Sequence, residues 1–211
     1  MSEVAPAQQL NSLLAESGLE PLPVELAARF EQYLRLLLHW NTRLNLTAIR
    51  DPDAILSRHF LESIVCARAL PAGISTLLDF GSGAGFPGIP IALCRPEIAV
   101  TLAESQGKKA AFLQEAIRTL GISARVHAAR AESLTVQFDC VTLRAVDRME
   151  LAIQTAGRLV TASGRLAIMA STAELPKLET AAGPSFYWQD PTLLPLSDDR
   201  LLVLGKHVAA E

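Results

Sequence analysis

The chemically suggestive part of the chain is one stretch, Leu77-Leu78-Asp79-Phe80-Gly81-Ser82-Gly83-Ala84-Gly85-Phe86-Pro87-Gly88. An apolar run rich enough for a buried strand stops at an acid, four glycines follow within eight positions, and a helical pattern starts near Phe86. A strand, a glycine turn and a helix in that order form a candidate nucleotide cradle. Glycines adopt positive φ and let a ligand lie against backbone N–H groups where a Cβ would collide. A second acid, Glu104, ends the next apolar run, Ala99 to Ala103, where a carboxylate can accept hydrogen bonds from both hydroxyls of a ribose.

Two ligand classes compete for this turn. Gly83-x-Gly85-x-x-Gly88 matches the dinucleotide fingerprint. Asp79 favours the other class: an acid entering a phosphate-binding turn repels a pyrophosphate, whereas S-adenosylmethionine carries a cationic amino acid end and no phosphate. Glu104 serves either ligand. After the third candidate strand comes Arg130-Ala131-Glu132-Ser133, whose acid or backbone can reach an adenine. After the fourth comes Arg144-Ala145-Val146-Asp147, with an Arg where a substrate enters. From the residues, Asp79, Gly81, Gly83, Gly85, Glu104 and Glu132 are therefore the candidate cofactor-binding groups, with the Ala131 backbone beside them and Arg144 facing an entering substrate. Arg144 is also the candidate catalytic residue. No Asp/Asn-Pro-Pro-aromatic run follows the fourth strand and no Pro-Cys pair occurs, so the patterns of amine and C5-cytosine methylation are absent.

Nucleic-acid candidates precede the glycine turn. Between Arg35 and Arg68, five arginines and two histidines face three acids, a local excess beside Trp40 that suits phosphate. Trp40, Asn41, Arg43, Asn45, Arg58 and His59 are the candidate RNA contacts. Asn and Thr there fit helix capping equally well, and His59 alone fits a partly buried structural histidine.

The elements that must position these groups follow from periodicity. Leu10, Leu13 and Leu14 predict a short amphipathic helix from Gln8 to Ser17, and Pro23 opens a longer one running to about Asn45. Asp51 and Pro52 restart a helix as N-cap and first helical residue. Beyond Pro71 and Gly73 short apolar runs alternate with amphipathic segments. Candidate strands are Thr76 to Phe80, Ala99 to Ala103, Arg125 to Ala128, Cys140 to Leu143, Leu166 to Met169, Phe186 to Gln189 and Leu201 to Leu204. Candidate helices are Phe86 to Cys94, Lys108 to Leu120 and Glu150 to Leu159. Such alternation predicts an α/β fold: a mostly parallel, seven-stranded sheet with helices on both faces, the last two strands forming an antiparallel edge. Residues 1–72 read as an N-terminal helical extension and 73–211 as the ligand-binding domain. Val208 to Glu211 read as a frayed end.

Composition narrows the classes. At 211 residues, half of them hydrophobic, the chain suits one well-cored domain with a small appendage, and the substrate domain of a nicotinamide-dependent oxidoreductase hardly fits. A net charge of −3 leaves no global basic field, so any RNA contact uses a local patch. Cys66, Cys94 and Cys140 lack metal-ligand spacing and read as free thiols in a reducing compartment. The start of the chain has neither the basic residues nor the apolar core of a signal peptide. The expectation is a cytoplasmic monomer with no metal and no membrane segment.

With these residues laid out, the sequence resembles the bacterial ribosomal RNA small-subunit methyltransferase G family, once called glucose-inhibited division protein B. The resemblance covers nearly the whole chain. It rests on His39-Trp40-Asn41 with Asn45-Leu46-Thr47, on Arg58-His59-Phe60-Leu61-Glu62-Ser63, and on the glycine stretch with its continuation to Ile89-Pro90. Glu104-Ser105 with Lys108-Lys109 and the run Arg144-Ala145-Val146 complete it. It implies a Rossmann-like class I methyltransferase that moves a methyl group from S-adenosylmethionine to N7 of one guanine in 16S ribosomal RNA, alone or in the small subunit. It further implies donor contacts at Gly81, Phe86, Ala131-Glu132 and Arg144, Glu104 on the ribose, and Lys108 and Lys109 as additional RNA candidates. The chain departs from the family pattern in three places: Met169-Ala170 stands where relatives carry Lys-Gly, Glu62 replaces an Asp, and Leu143 a small polar residue. Two other classes compete with this reading: a nicotinamide-dependent oxidoreductase, and a non-catalytic donor-binding ribosome-assembly factor.

Overall fold

In a computed structural model that describes residues 4–208, helices precede the Pro71-to-Gly73 junction and the sheet follows it. Of the expected frayed end only Val208 is described; residues 209–211 lie outside. Helix α1 (Pro6–Glu16) starts on its proline, and α2 (Val24–Asn41) buries Phe30, Tyr33, Leu34 and Leu37 along one stripe. α2 stops at Asn41, short of the expected Asn45, because the Asn41 side chain turns back: its Oδ1 accepts the N–H groups of Leu46 at 2.9 Å and Thr47 at 3.1 Å.

The next helix is interrupted. Asp51 caps α3 (Pro52–Ile55) as expected, accepting Ala54 N–H at 2.9 Å. A π-helical turn, Leu56–Leu61, then precedes α4 (Glu62–Ala69). The sequence predicts one regular helix here. Its apolar residues stay inward through the wider turn, so periodicity carries no sign of it.

Strands β1 (Thr76–Phe80), β2 (Ala99–Ala103), β3 (Ala124–His127), β4 (Phe138–Arg144) and β5 (Val160–Ser171) pair in parallel, in the order β3-β2-β1-β4-β5. β6 (Phe186–Trp188) and the two-residue β7 (Thr192–Leu193) pair antiparallel with β8 (Arg200–His207), which pairs antiparallel with β5. β7 is the one strand beyond the expected seven, too short for a period-2 signal. Helices α5 (Gly88–Cys94), α6 (Gly107–Leu120), α7 (Met149–Arg158) and α8 (Leu175–Ala182) fill the connections. α8 was not expected from the sequence, since only Leu175 and Leu178 of its eight residues are buried.

Strand side chains alternate between two cores, as the pleat requires. Leu77, Leu102 and Cys140 face one hydrophobic cluster with α2, α4, α5 and α6; Leu78, Phe80, Val141 and Leu143 face the other with α7 and α8. The helical extension shares the first cluster rather than holding a core of its own. Within it, Phe60 stacks on Tyr33 with centroids 5.2 Å apart, and both meet Phe86 of the glycine turn at 5.6 and 5.4 Å. Each such pair contributes roughly 0.5–1.5 kcal/mol beyond its buried area. The extension is thereby fixed against the turn.

Candidate active site

The strand order reverses at β1, between β2 and β4, where open α/β sheets bind ligands at the C-terminal strand ends. A cavity of about 760 Å³ opens there. Its floor is Phe80 to Ala84 and Phe86 from the turn. Glu104 to Gln106 after β2 and Ala129 to Glu132 after β3 form one side, and Arg144 to Arg148 after β4 the other. The 3₁₀ turn Ala131–Ser133 buries Ala131 and leaves Glu132 exposed.

The turn works differently from a bare cradle. Ser82 N–H donates to Ala103 O at 2.9 Å and Gly85 N–H to Ser82 O at 2.6 Å. Gly83 N–H donates to Glu104 Oε2 at 3.0 Å, and Gly88 N–H to Asp79 Oδ2 at 3.2 Å. Those donors are used within the protein, so the expectation of free N–H groups is corrected at these four positions. The glycines are needed for shape. Gly85 has φ +94°, and a Cβ there would lie 2.5 Å from Ile89 Cδ1 and 2.7 Å from Tyr33 Oη. A Cβ on Gly88 would lie 2.6 Å from Asp79 Oδ2 and press on Leu102. Tyr33 Oη–H donates to Ala84 O at 2.5 Å and pins the bend from the helical side.

Asp79 and Gly85 lie behind the cavity wall rather than on it. Asp79 is 1% exposed, and Thr142 Oγ1 donates to its Oδ1 at 2.9 Å. Burial raises its carboxyl to about 6, opposed by the hydrogen bonds from Thr142, Ser82 and Gly88. Its geometry is that of a brace joining β1, β4 and the start of α5. Glu104, by contrast, lines the cavity: one oxygen accepts Gly83 N–H and the other Gln106 N–H at 2.7 Å. Each oxygen keeps a lone pair for a ligand hydroxyl.

Arg144 is the hub of the opposite wall. Its Nη2 donates to Arg58 O at 2.5 Å, Glu62 Oε2 at 2.8 Å and His59 Nδ1 at 3.2 Å, and Nη1 reaches Ser63 Oγ at 3.5 Å. Glu62, whose side chain is 1% exposed, takes Arg200 Nε on its other oxygen at 2.6 Å. The π-turn interrupts the i to i+4 pattern and presents the Arg58 carbonyl to Arg144. Since arginine only donates, His59 Nδ1 accepts, and His59 Nε2–H donates to Thr47 Oγ1 at 2.8 Å. Burial, together with Arg144 and Arg58, lowers His59 to about 3, so the ring is neutral near pH 7. It stacks on Phe86 at 4.7 Å.

The candidate RNA residues divide. Asn41 is 4% exposed and staples the 41–47 loop, and Trp40 packs edge-on against Phe112 at 5.7 Å; both serve the fold here. Arg43, Arg58 and Lys108 are exposed; so is Asn45, which accepts a hydrogen bond from Arg50 at 2.9 Å. His59 and Lys109 line the cavity. Arg130, Asp147 and Arg148 line it too, although the sequence reading assigned them no individual role; loop residues without periodicity give no signal of orientation. Met169 is buried in the core, and neither it nor Ala170 lines the cavity.

These residues fit S-adenosylmethionine better than a dinucleotide. A carboxylate already holds the Gly83 amide that a pyrophosphate would need, while Glu104 retains acceptor capacity for a ribose and the Ala131-Glu132 backbone borders the same space. Cys66, Cys94 and Cys140 are free thiols, and among the described residues no group of three or more His, Cys, Asp or Glu side chains could hold a metal ion.

Comparisons with known proteins agree with this geometry. The family model for rRNA small subunit methyltransferase G matches residues 26–184. A "Ribosomal RNA small subunit methyltransferase G" of Xanthomonas campestris is 42% identical over 178 residues, covering 83% of this chain and 80% of that protein. The protein of the same name in Stenotrophomonas maltophilia is 41% identical over 194 residues, covering 90% and 88%. Among solved structures, an S-adenosylmethionine-dependent O-methyltransferase of Thermotoga maritima is similar with a TM-score of 0.61 at 14% identity, covering 83% of this chain and 72% of that one. TYW2 of M. jannaschii, in complex with S-adenosylmethionine, gives 0.58 at 14% identity, covering 71% and 75%. At such identities they establish the methyltransferase fold alone. On its match to the family model and on its close relatives, this chain belongs to the rRNA small subunit methyltransferase G family.

Proposed function

We propose that this chain transfers a methyl group from S-adenosylmethionine to N7 of a guanine in 16S ribosomal RNA, acting in the cytoplasm as a monomer and without a metal. The observation that carries the reading is the pairing of Glu104 with the glycine turn, on a cavity whose opposite wall is Arg144, held by the buried Glu62. Glu104 is assigned to the ribose, the Phe80-to-Ala84 floor and Phe86 to the body of the donor, and Ala131-Glu132 to the adenine.

When bound, S-adenosylmethionine supplies an electrophilic methyl carbon on a positively charged sulfur. The residues of this chain supply alignment, which can contribute up to about 7–11 kcal/mol in well-oriented intramolecular systems. Guanine N7 has a lone pair and no proton, so the wall needs no general base. His59 is unsuited to that task, because both ring nitrogens are engaged. Arg144 holds the wall together, donating to Arg58 O, His59 Nδ1 and Glu62, whose one carboxylate it shares with Arg200.

Rim arginines and lysines face the RNA in this reading, among them Arg43, Arg58, Lys108 and Lys109. Mass spectrometry of 16S rRNA fragments after incubation with the protein and S-adenosylmethionine tests it. The expected product is one guanine methylated at N7. No methylated guanine, or a methyl group on another atom, defeats the proposal.

A further inference from the structure

A line of aromatic rings runs from the helical extension into the active-site cavity. Phe60 stacks on Tyr33, Tyr33 meets Phe86 at 5.4 Å, and His59 stacks on Phe86 with centroids 4.7 Å and planes 21° apart. The first three rings are buried, Phe86 at 8% exposure, whereas His59 is half-buried and lines the cavity. Among the described residues the wall has one more aromatic side chain, Phe80, which is 5% exposed. His59 is the ring that this wall offers to a ligand.

The surroundings of His59 decide what kind of ligand it suits. One face rests on Phe86, and both nitrogens are engaged, Nδ1 accepting from Arg144 at 3.2 Å and Nε2–H donating to Thr47 at 2.8 Å. What remains toward the cavity is carbon: the second face and a C–H edge. Burial, with Arg144 and Arg58 nearby, keeps the ring uncharged. The methionine arm of S-adenosylmethionine ends in an ammonium and a carboxylate, which need an acceptor and a donor that His59 no longer has. The adenosine is assigned to the other wall, on Glu104 and Ala131-Glu132. A flat base is the group that an uncharged π face holds, and a base taken out of its stack gains there a replacement for the neighbours it leaves.

We propose that the free face of His59 is the platform on which the target guanine stacks, with Phe86, Arg144 and Thr47 fixing the plane of the ring. This deepens the proposed methylation at guanine N7 and rests on it. The N7 lone pair lies in the plane of the base, so a fixed platform sets the direction from which the nitrogen meets the methyl carbon.

The test compares His59→Asn, which keeps an acceptor for Arg144 and loses the ring, with His59→Phe, which keeps a ring and loses both hydrogen bonds. RNA affinity is measured on a 16S rRNA fragment carrying the guanine found to be methylated, and on the same fragment lacking that one base, with donor calorimetry alongside. In His59→Asn the affinity for the intact fragment is expected to fall about five- to 150-fold, the range for one base stacked on an aromatic side chain, while affinity for the abasic fragment stays within about twofold. His59→Phe is expected to bind the intact fragment within about fivefold of the unsubstituted chain, and both variants to bind S-adenosylmethionine within about twofold. Equal losses on the intact and abasic fragments make His59 a part of the fold alone and overturn the inference, as does unchanged affinity in His59→Asn or a loss confined to the donor. Each variant is compared with itself on the two fragments, so an effect on folding cancels. An unsubstituted chain that methylates no guanine defeats the underlying function instead.

Discussion

Replacing Glu62 by Gln probes the contact that joins the helical extension to the sheet. Glu62 is almost fully buried and accepts from Arg144 at 2.8 Å and Arg200 at 2.6 Å, with side-chain exposures of 13% and 22% for the two arginines. Removing its charge leaves two guanidiniums facing one another, and the new amide turns an N–H₂ group toward one of them. Breaking a buried ion pair costs about 3–5 kcal/mol, and the retained amide oxygen places this variant near the lower end, at about 3. For a chain of this size 1 kcal/mol shifts the melting temperature by roughly 2–4 °C, so a fall of roughly 6–12 °C is expected in thermal melts at pH 7. Arg200→Met in the Glu62→Gln background should restore part of the loss, giving a coupling above about 1 kcal/mol in a double-mutant cycle. A melting shift under about 2 °C, or strictly additive variants, would refute the argument that this triad fixes the extension.

Three further outcomes are expected. Burial holds the Asp79 carboxyl at about 6 against 3.8 for a free one, so the folded state binds its proton more tightly and stability falls as pH rises from about 4 to 6. Asp79→Asn should abolish that component, of order 3 kcal/mol, and parallel stability curves for the two proteins would contradict it. Glu104→Ala should weaken S-adenosylmethionine binding by about 1–3 kcal/mol through loss of charge-assisted hydrogen bonds; unchanged calorimetric affinity removes that role. Reversing Arg43 and Arg58 to Glu should weaken RNA binding and flatten its salt dependence, whereas an unchanged slope places the RNA away from the helical extension.

Elements with local signals are legible in the amino-acid order. β1 and β2 fall on the expected residues because short apolar runs ended by acids read clearly, and α6 ends at Gly121, whose φ of +60° suits a left-handed cap. The sequence also placed the glycine turn, Glu104, Ala131-Glu132 and Arg144 at the strand ends that meet in the cavity. The roles of several side chains needed the tertiary structure. Asn41, polar and near an exposed arginine in sequence, is a buried loop staple; Asp79, an acid at a ligand turn, is a brace behind it. Glu62 meets Arg144 across 82 residues and Arg200 across 138, and no periodicity encodes such a pairing. A local pattern reports which face of an element is apolar, and the partner of a buried charge is set only when separate elements close around it, because low-dielectric surroundings make that partner obligatory.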